Sequence, residues 1–184
     1  MKWLLGAAMA SNVCVALGTI LFRGWNAAGA HAAARNTARF SSLWFMVAFA
    51  APGLTRLVRG VPVGARLVQA FVAAHLVHFG VIGALIASFE TAHLVQKPIA
   101  SAVILVFGFS LVVGAGLTAT PRGSRFYSGL HKFTLYALFL IFSLAFVQNA
   151  MKPLRLMAVP LALALILRLA SGWTFYTARV KIPN

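Results

Sequence analysis

The chain alternates long apolar runs with short polar connections along its whole length. The apolar runs cover about residues 3–22, 41–57, 67–88, 99–117, 129–148 and 154–170. About 20 apolar residues are needed for a helix to cross a bilayer. Because backbone polar groups in hydrocarbon must be satisfied within the segment, helix is the expected state of every run. The pattern therefore predicts an all-α integral membrane bundle of about six transmembrane helices, forming a single domain over residues 1–184.

Prolines and boundary residues modify two of these runs. The second run is the shortest and could begin earlier, near Asn36. Pro52-Gly53 is expected to bend or end it, and Pro160 is expected to bend the sixth run. Arg168, near the cytoplasmic end of the sixth run, is expected to snorkel to the interface. Asn12 in the first run is expected to contact another helix.

The composition confirms that lipid is the solvent. Of the 184 residues, 61% are hydrophobic and only 9% are charged, whereas a soluble domain is about a quarter charged. So few charges could not cover a surface that faces water. Little of the chain remains for a soluble catalytic domain, so any chemistry must lie within the bundle or come from a partner.

The charge is strongly unbalanced. Sixteen Lys and Arg residues stand against one acidic residue, Glu90, and the formal net charge is +15. Such a charge can indicate nucleic-acid binding, but here the basic residues lie in the connections, where they meet anionic lipid head groups. We therefore expect a bilayer and no nucleic acid as partner. The larger share of basic residues lies on the side of both termini, which predicts cytoplasmic termini in the bacterial inner membrane.

Three histidines fall within apolar runs. His75 and His78 lie inside the third run and share a helix face, because they are three residues apart. Counted from the cytoplasmic end, they lie roughly 12 and 17 Å deep, and His131 in the fifth run lies roughly 5 Å deep. Ionisable side chains within spans are costly and usually face a functional partner inside the bundle.

Histidines on two facing helices are what a b-type heme needs, since each neutral imidazole supplies one axial nitrogen to the iron. Its propionates require cations near the rim. The cytoplasmic side offers Arg66, Arg122, Arg125 and Lys132. Interhelical hydrogen bonding by the histidines is the competing interpretation. A proton relay, or a zinc or di-iron site, would need carboxylates or cysteines that these runs do not contain.

Three stretches around these residues resemble a known family. They are Ala34-Arg35-Asn36-Thr37-Ala38-Arg39-Phe40-Ser41, Ala74-His75-Leu76-Val77-His78-Phe79, and Gly129-Leu130-His131-Lys132-Phe133-Thr134-Leu135-Tyr136 continuing to Phe142-Ser143-Leu144. Together they resemble the ferric reductase-like transmembrane domain family. That family includes the heme-binding membrane subunit of bacterial methionine sulfoxide reductase systems and the membrane parts of ferric reductases and NADPH oxidases.

The resemblance implies a six-helix bundle that carries electrons across the membrane through heme between its third and fifth helices. It implies His131 as the fifth-helix iron ligand and His78, with His75 as the alternative, as the third-helix ligand. Motif alignment favours His78, whereas depth favours His75. Where two-heme members have a second histidine on the fifth helix, this chain has Leu144, so we expect one heme b.

The sequence contains no glycine fingerprint for a dinucleotide. We therefore expect an electron-transfer subunit of an oxidoreductase rather than a complete enzyme. A separate flavoprotein or a quinol would be the electron donor, and a separate acceptor, in a membrane complex, would receive the electrons. The alternative is a non-redox accessory or scaffold subunit of a larger complex. A transporter is disfavoured, because the chain has a single acidic residue and no strong internal repeat.

The orientation is directly testable. Green fluorescent protein fused after Asn184 should fluoresce, and alkaline phosphatase fused there should be inactive, because the C-terminus is expected to face the cytoplasm. Alkaline phosphatase inserted after Gly24, in the first external connection, should be active. The opposite pair of results would reverse the predicted topology.

Overall fold

The computed structural model describes residues 2–57, 64–89, 98–119, 125–148 and 155–180. Within these ranges the chain is helical and contains no strand. The helices are α1 (Lys2–Arg23), α2 (Ala27–Leu57), α3 (Gly64–Phe89), α4 (Pro98–Thr118), α5 (Arg125–Gln148) and α6 (Arg155–Val180). The predicted all-α architecture is thus confirmed.

Three stretches in the described part of the chain are long and apolar enough to cross a membrane. They are Trp3–Arg23, Gly64–Phe89 and Phe126–Ala145, and shorter apolar helical stretches cover Val106–Thr118 and Ala158–Ser171. Many large apolar side chains point outward, such as Phe22, which is 88% exposed. An extensive apolar surface of this kind marks a membrane-facing protein.

The α1–α2 connection is a tight turn with a cap on each side. Gly24 has a φ of +80°, which glycine adopts without a steric penalty, and its amide donates to the Ile20 carbonyl at 2.7 Å. Asn26 then caps α2, since its Oδ1 accepts from the Gly29 amide at 2.9 Å. Helix α2 therefore begins at Ala27, and the segment 27–40, which was predicted as a connection, is helical.

Helix α2 lies at the centre of the described bundle, where it packs against α1, α3 and α6. It runs antiparallel to α3, because successive turns of α2 meet successive turns of α3 in reverse order (Thr37 with His78, Ser41 with His75, Phe45 with Phe71). The buried stripe of α2 is polar in its first half and aromatic in its second. This polar half explains why α2 does not qualify as a span by hydropathy.

An aromatic cluster joins α2, α3 and α5. Phe45 contacts Phe71 and Phe142, with ring centroids 5.2 and 5.0 Å apart. One turn further along α2, Phe49 stacks on Phe139 at 4.8 Å. Such pairs contribute about 0.5–1.5 kcal/mol each beyond the apolar area that they bury. The cluster therefore sets the height of α5 relative to α2 and α3.

Helices α2 and α6 approach each other at Gly53. A Cβ added to Gly53 would overlap the main-chain carbonyl of Leu167. Pro52 directly precedes this contact. Pro52-Gly53 was predicted to bend or end the helix, and an end at this point is wrong, because α2 continues to Leu57. Helix α6 likewise runs through Pro160 and ends at Val180, beyond the predicted boundary at residue 170.

We predict that Gly53→Ala destabilises the bundle by about 1–3 kcal/mol, because the new methyl group must push two helix backbones apart. The free energy of unfolding can be measured by SDS titration in mixed micelles. Gly18→Ala is the matched control, since a Cβ there has no neighbour within 4 Å. Equal stability of the two variants would contradict the close approach of α2 and α6.

Candidate functional site

His75 occupies a buried aromatic site between α2, α3 and α5. Only 7% of its surface is exposed. Its Nδ1 lies 2.8 Å from the Ser41 hydroxyl on α2. The rings of Phe71, Phe79 and Phe142 surround it, with centroids 5.3, 4.9 and 5.7 Å from its own. The imidazole is therefore held by one polar contact in otherwise apolar surroundings.

His78 lies one turn along α3 and has the same kind of partner. Its Nδ1 is 3.0 Å from the Thr37 hydroxyl, and 9% of its surface is exposed. The His75 and His78 rings lie 5.0 Å apart at an angle of 62°. The structure thus brings the two third-helix candidates together.

His131 repeats the arrangement at the contact of α4 and α5. Its Nδ1 lies 3.1 Å from the Thr118 hydroxyl, and its side chain is partly buried. Two helix pairs are therefore joined by histidine–hydroxyl hydrogen bonds, α2 with α3 and α4 with α5.

The further hydrogen bonds of the three hydroxyl groups favour one tautomer of each histidine. A hydroxyl has one proton to donate, and each of these hydroxyls donates it to a carbonyl three or four residues earlier in its own helix. The donor–acceptor distances are 3.0, 2.8 and 2.7 Å for Ser41 to Ala38, Thr37 to Ala33 and Thr118 to Gly114. With its proton used in this way, each hydroxyl oxygen accepts from the histidine, which corresponds to the tautomer with the proton on Nδ1.

A histidine with its proton on Nδ1 has a lone pair on Nε2. Metal-ligating histidines show this arrangement, in which the second ring nitrogen donates to an outer partner that fixes the tautomer and the ring orientation. His75, His78 and His131 thus each offer a ring nitrogen of the kind that binds a metal. The hydroxyl residues Thr37, Ser41 and Thr118 were not among the residues predicted from sequence, although Thr37 and Ser41 lie in a stretch that carries the family resemblance.

His131 lies at a different height in the bundle from the other two histidines. It precedes Phe142, which touches His75, by eleven residues of α5, or ~16 Å along the helix axis. Two axial nitrogens on one iron are only ~4 Å apart, given metal–nitrogen bonds of about 2 Å. The rings of Phe45, Phe49, Phe139 and Phe142 fill the space beside this part of α5. A heme that uses His131 and an α3 histidine therefore requires these rings to move apart.

The cations predicted to hold propionates are distributed unevenly. Arg66, near the start of α3, is exposed, and so is Lys132, directly after His131. Arg122 lies outside the described residues. Arg125 is the first residue of α5, but its side chain also lies outside the described part. The structure therefore describes the side chains of two of the four predicted cations, Arg66 and Lys132, and both are exposed.

Arg168 is a cation that sequence reasoning missed as part of the site. Its guanidinium donates to the Phe49 carbonyl at 3.3 Å. It also lies over the rings of Phe49 and Tyr136, 5.2 and 5.8 Å from their centroids. It points toward α2 and α5 rather than snorkelling, because α6 packs on α2 and turns this position inward. A single arginine within an apolar run was the signal available in the sequence.

Asn12 forms a further polar contact behind the histidines. Its Nδ2 donates to the Ala74 carbonyl on α3 at 2.5 Å, which confirms the predicted helix contact. Its Oδ1 is the one buried side-chain nitrogen or oxygen without a hydrogen-bond partner in the described part of the chain. No group of three or more His, Cys, Asp or Glu side chains is present among the described residues.

Comparison of the chain with protein-family models, with curated proteins and with solved structures finds no match. Similarity to a characterised protein therefore contributes nothing to the functional interpretation. The functional interpretation depends on the burial, the hydrogen bonds and the chemistry of the residues described above.

We predict that Ser41→Ala destabilises the protein by about 1–3 kcal/mol, because the buried Nδ1–H of His75 loses its acceptor. Ser11→Ala is the control, since the Ser11 hydroxyl bonds to Ala8 within its own helix. SDS titration of both variants measures the difference. In a His75→Phe background, Ser41→Ala should cost much less, and an undiminished cost would show that the bond to His75 is not what Ser41 contributes.

Proposed function

We propose that this chain is a membrane cytochrome that binds one heme b and relays electrons as a ferric reductase-like membrane subunit. The proposal includes six membrane crossings with both termini in the cytoplasm of a bacterium. The observation that supports it best is the shared hydrogen-bond pattern of the three histidines. In each, Nδ1 is hydrogen-bonded to a hydroxyl on a neighbouring helix, which leaves Nε2 as the nitrogen that would bind iron.

The surroundings of His75 suit such a cofactor. Phenyl rings on α3 and α5 surround the imidazole, and an apolar shell excludes water and influences the reduction potential of an iron centre. When bound, heme supplies one-electron transfer. The role of the protein is to orient the imidazoles, through α2 and α4, and to keep the site dry.

We propose that His131 and His78 would hold the heme iron, with His75 as the alternative to His78. Because α3 and α5 both run antiparallel to α2, they run parallel to each other, and His75 is one turn closer than His78 to the height of His131. The family resemblance favours His78 instead. Separate His75→Ala and His78→Ala variants distinguish the two assignments.

Electron donor and acceptor are proposed to be separate from this chain. The three histidines and their hydroxyl partners lie on helices of the bundle, so electrons would enter and leave through separate partners. A flavoprotein or a quinol would supply electrons, and an acceptor in a membrane complex would receive them.

The decisive measurement is an optical spectrum. Purified protein expressed with ample heme should show a Soret band that shifts on reduction, as expected for a bis-histidine heme b. His131→Ala should lose the band or convert it to a five-coordinate form, because one axial nitrogen is gone.

His31→Ala is the matched control, since His31 is exposed on α2, and its spectrum should be that of the unsubstituted protein. Monodisperse, well-folded protein that has no heme spectrum under these conditions would refute the proposal.

A non-redox scaffold is the second candidate, and one observation favours it. The histidine–hydroxyl bonds already satisfy one polar atom of each imidazole while joining α2 to α3 and α4 to α5. In that case the histidines act in helix association. Replacing His75, His78 and His131 together should then lower the stability of the bundle with no redox activity to lose, whereas loss of electron transfer in protein that stays folded and assembled supports the cytochrome.

A further inference from the structure

The first half of α2 carries a row of basic side chains on its outer face. His31, Arg35 and Arg39 follow one another at intervals of four residues, so they lie on one side of the helix. His31 and Arg35 are exposed, and Arg39 is partly buried. Because this segment is helical rather than a connection, its basic residues form a single charged row.

The row lies on the face of α2 that α6 covers further along the helix. Gly53 meets the main chain of Leu167 on α6. Arg35 lies about five full turns before Gly53, at about 3.6 residues per turn, so both residues have the same direction on the helix. Because Arg35 is exposed, the described helices leave this part of the face uncovered.

A hydrogen bond to α1 gives the height of the row in the membrane. Asn36 donates to the Thr19 hydroxyl at 3.1 Å, so the neighbouring Arg35 lies close to the height of Thr19. The stretch of α1 that is apolar enough to span ends at Arg23, about 6 Å from Thr19 along the helix. Arg39 lies one turn deeper than Arg35, roughly 12 Å inside that end. Both arginines therefore leave the α2 backbone within the apolar layer.

Arginines at this depth require an anionic or polar partner, because charge in hydrocarbon is costly. Side chains of a helix tilt toward its N-terminus, and α2 begins at the nearer membrane surface. Long arginine side chains bury their apolar stems and extend the guanidinium toward that surface. The two guanidinium groups are thus directed to the level of the lipid phosphates, and their donor geometry matches a phosphate bidentately.

The polarity of the row matches a phospholipid. One turn beyond Arg39 the same row continues with Leu43, which is apolar and 36% exposed. From the surface inward, the face offers guanidinium groups and then hydrocarbon, which is the order of phosphate and acyl chain in a lipid. We propose that Arg35 and Arg39 bind the phosphate of an anionic phospholipid, with an acyl chain against Leu43. The inference does not depend on heme binding.

The experiment measures lipid preference at the site itself. In a Cys14→Ala background, Leu43→Cys carries a bimane label, and lipids with dibrominated acyl chains quench it on contact. The protein is reconstituted in phosphatidylcholine bilayers that contain brominated phosphatidylglycerol or brominated phosphatidylcholine. The label should report an association constant about five- to thirtyfold higher for phosphatidylglycerol, the range expected for one or two basic residues near a membrane surface.

Removal of the two charges should abolish this preference. With Arg35→Gln and Arg39→Gln together, the ratio at Leu43 should fall to the ratio at a control position. Val13→Cys provides that position, because Val13 is exposed on α1 and the contact between α1 and α2 places it close to the height of Leu43. The ratio at Val13 should be the same with and without the two substitutions.

Two further variants separate charge from geometry and location. Arg35→Lys with Arg39→Lys keeps the charge without the planar fork and should retain part of the preference; it also tests the inference if the glutamine variant does not fold. Arg66→Gln is the matched control for charge removal, because Arg66 is exposed near the start of α3, at the other end of the bundle. It should retain the full preference.

Three results would overturn the inference. The first is equal association of the two lipids at Leu43, and the second is a preference that survives the double glutamine variant. The third is a preference that is absent from the unsubstituted protein and appears with Glu90→Gln or with an amidated C-terminus. That result would assign the two arginines to a carboxylate of the chain itself.

Discussion

The arrangement of this bundle depends on one constraint: polar side chains surrounded by hydrocarbon must find partners within the protein. The imidazoles of α3 meet this requirement through the hydroxyls of Thr37 and Ser41 on α2. Those hydroxyls in turn donate hydrogen bonds to carbonyls of α2. The result is a chain of hydrogen bonds that joins the two helices and also fixes the histidine tautomer. Stability and potential ligand chemistry therefore depend on the same contacts.

The position of α2 follows from this constraint. A helix that contains Asn36, Thr37, Ser41 and Ser42 would be poorly suited to lipid on every side, and it packs instead against α1, α3 and α6. The second half of α2 buries phenyl rings instead of hydroxyl groups. These rings determine the position of α5 along the axis of α2. The polar half is suited to orient imidazoles and the aromatic half to exclude water. Arg168 on α6 contacts this aromatic half through the Phe49 carbonyl and ring.

Several features could be predicted from the sequence because their physical cause is local. Apolar run length predicts helices, and the spacing of His75 and His78 places both on one face of α3. The start of α2 was not predicted, because alanines with interspersed polar residues resemble a connection until the Asn26 cap and the packing of Thr37 are known. The inward direction of Arg168 was not predicted either, because it depends on the close approach of α6 to Gly53.

By itself, the sequence determined that the chain is an all-α membrane protein with unpaired positive charge and with histidines inside apolar runs. These properties depend on composition and on helical periodicity, which neighbours along the chain define. Only the tertiary structure decided which hydroxyl meets which imidazole, the different heights of His131 and His75, and the aromatic surroundings of Arg168. Those properties depend on the axial offset and the rotation of each helix relative to its neighbour. Aromatic packing between residues distant in sequence determines the offset and the rotation.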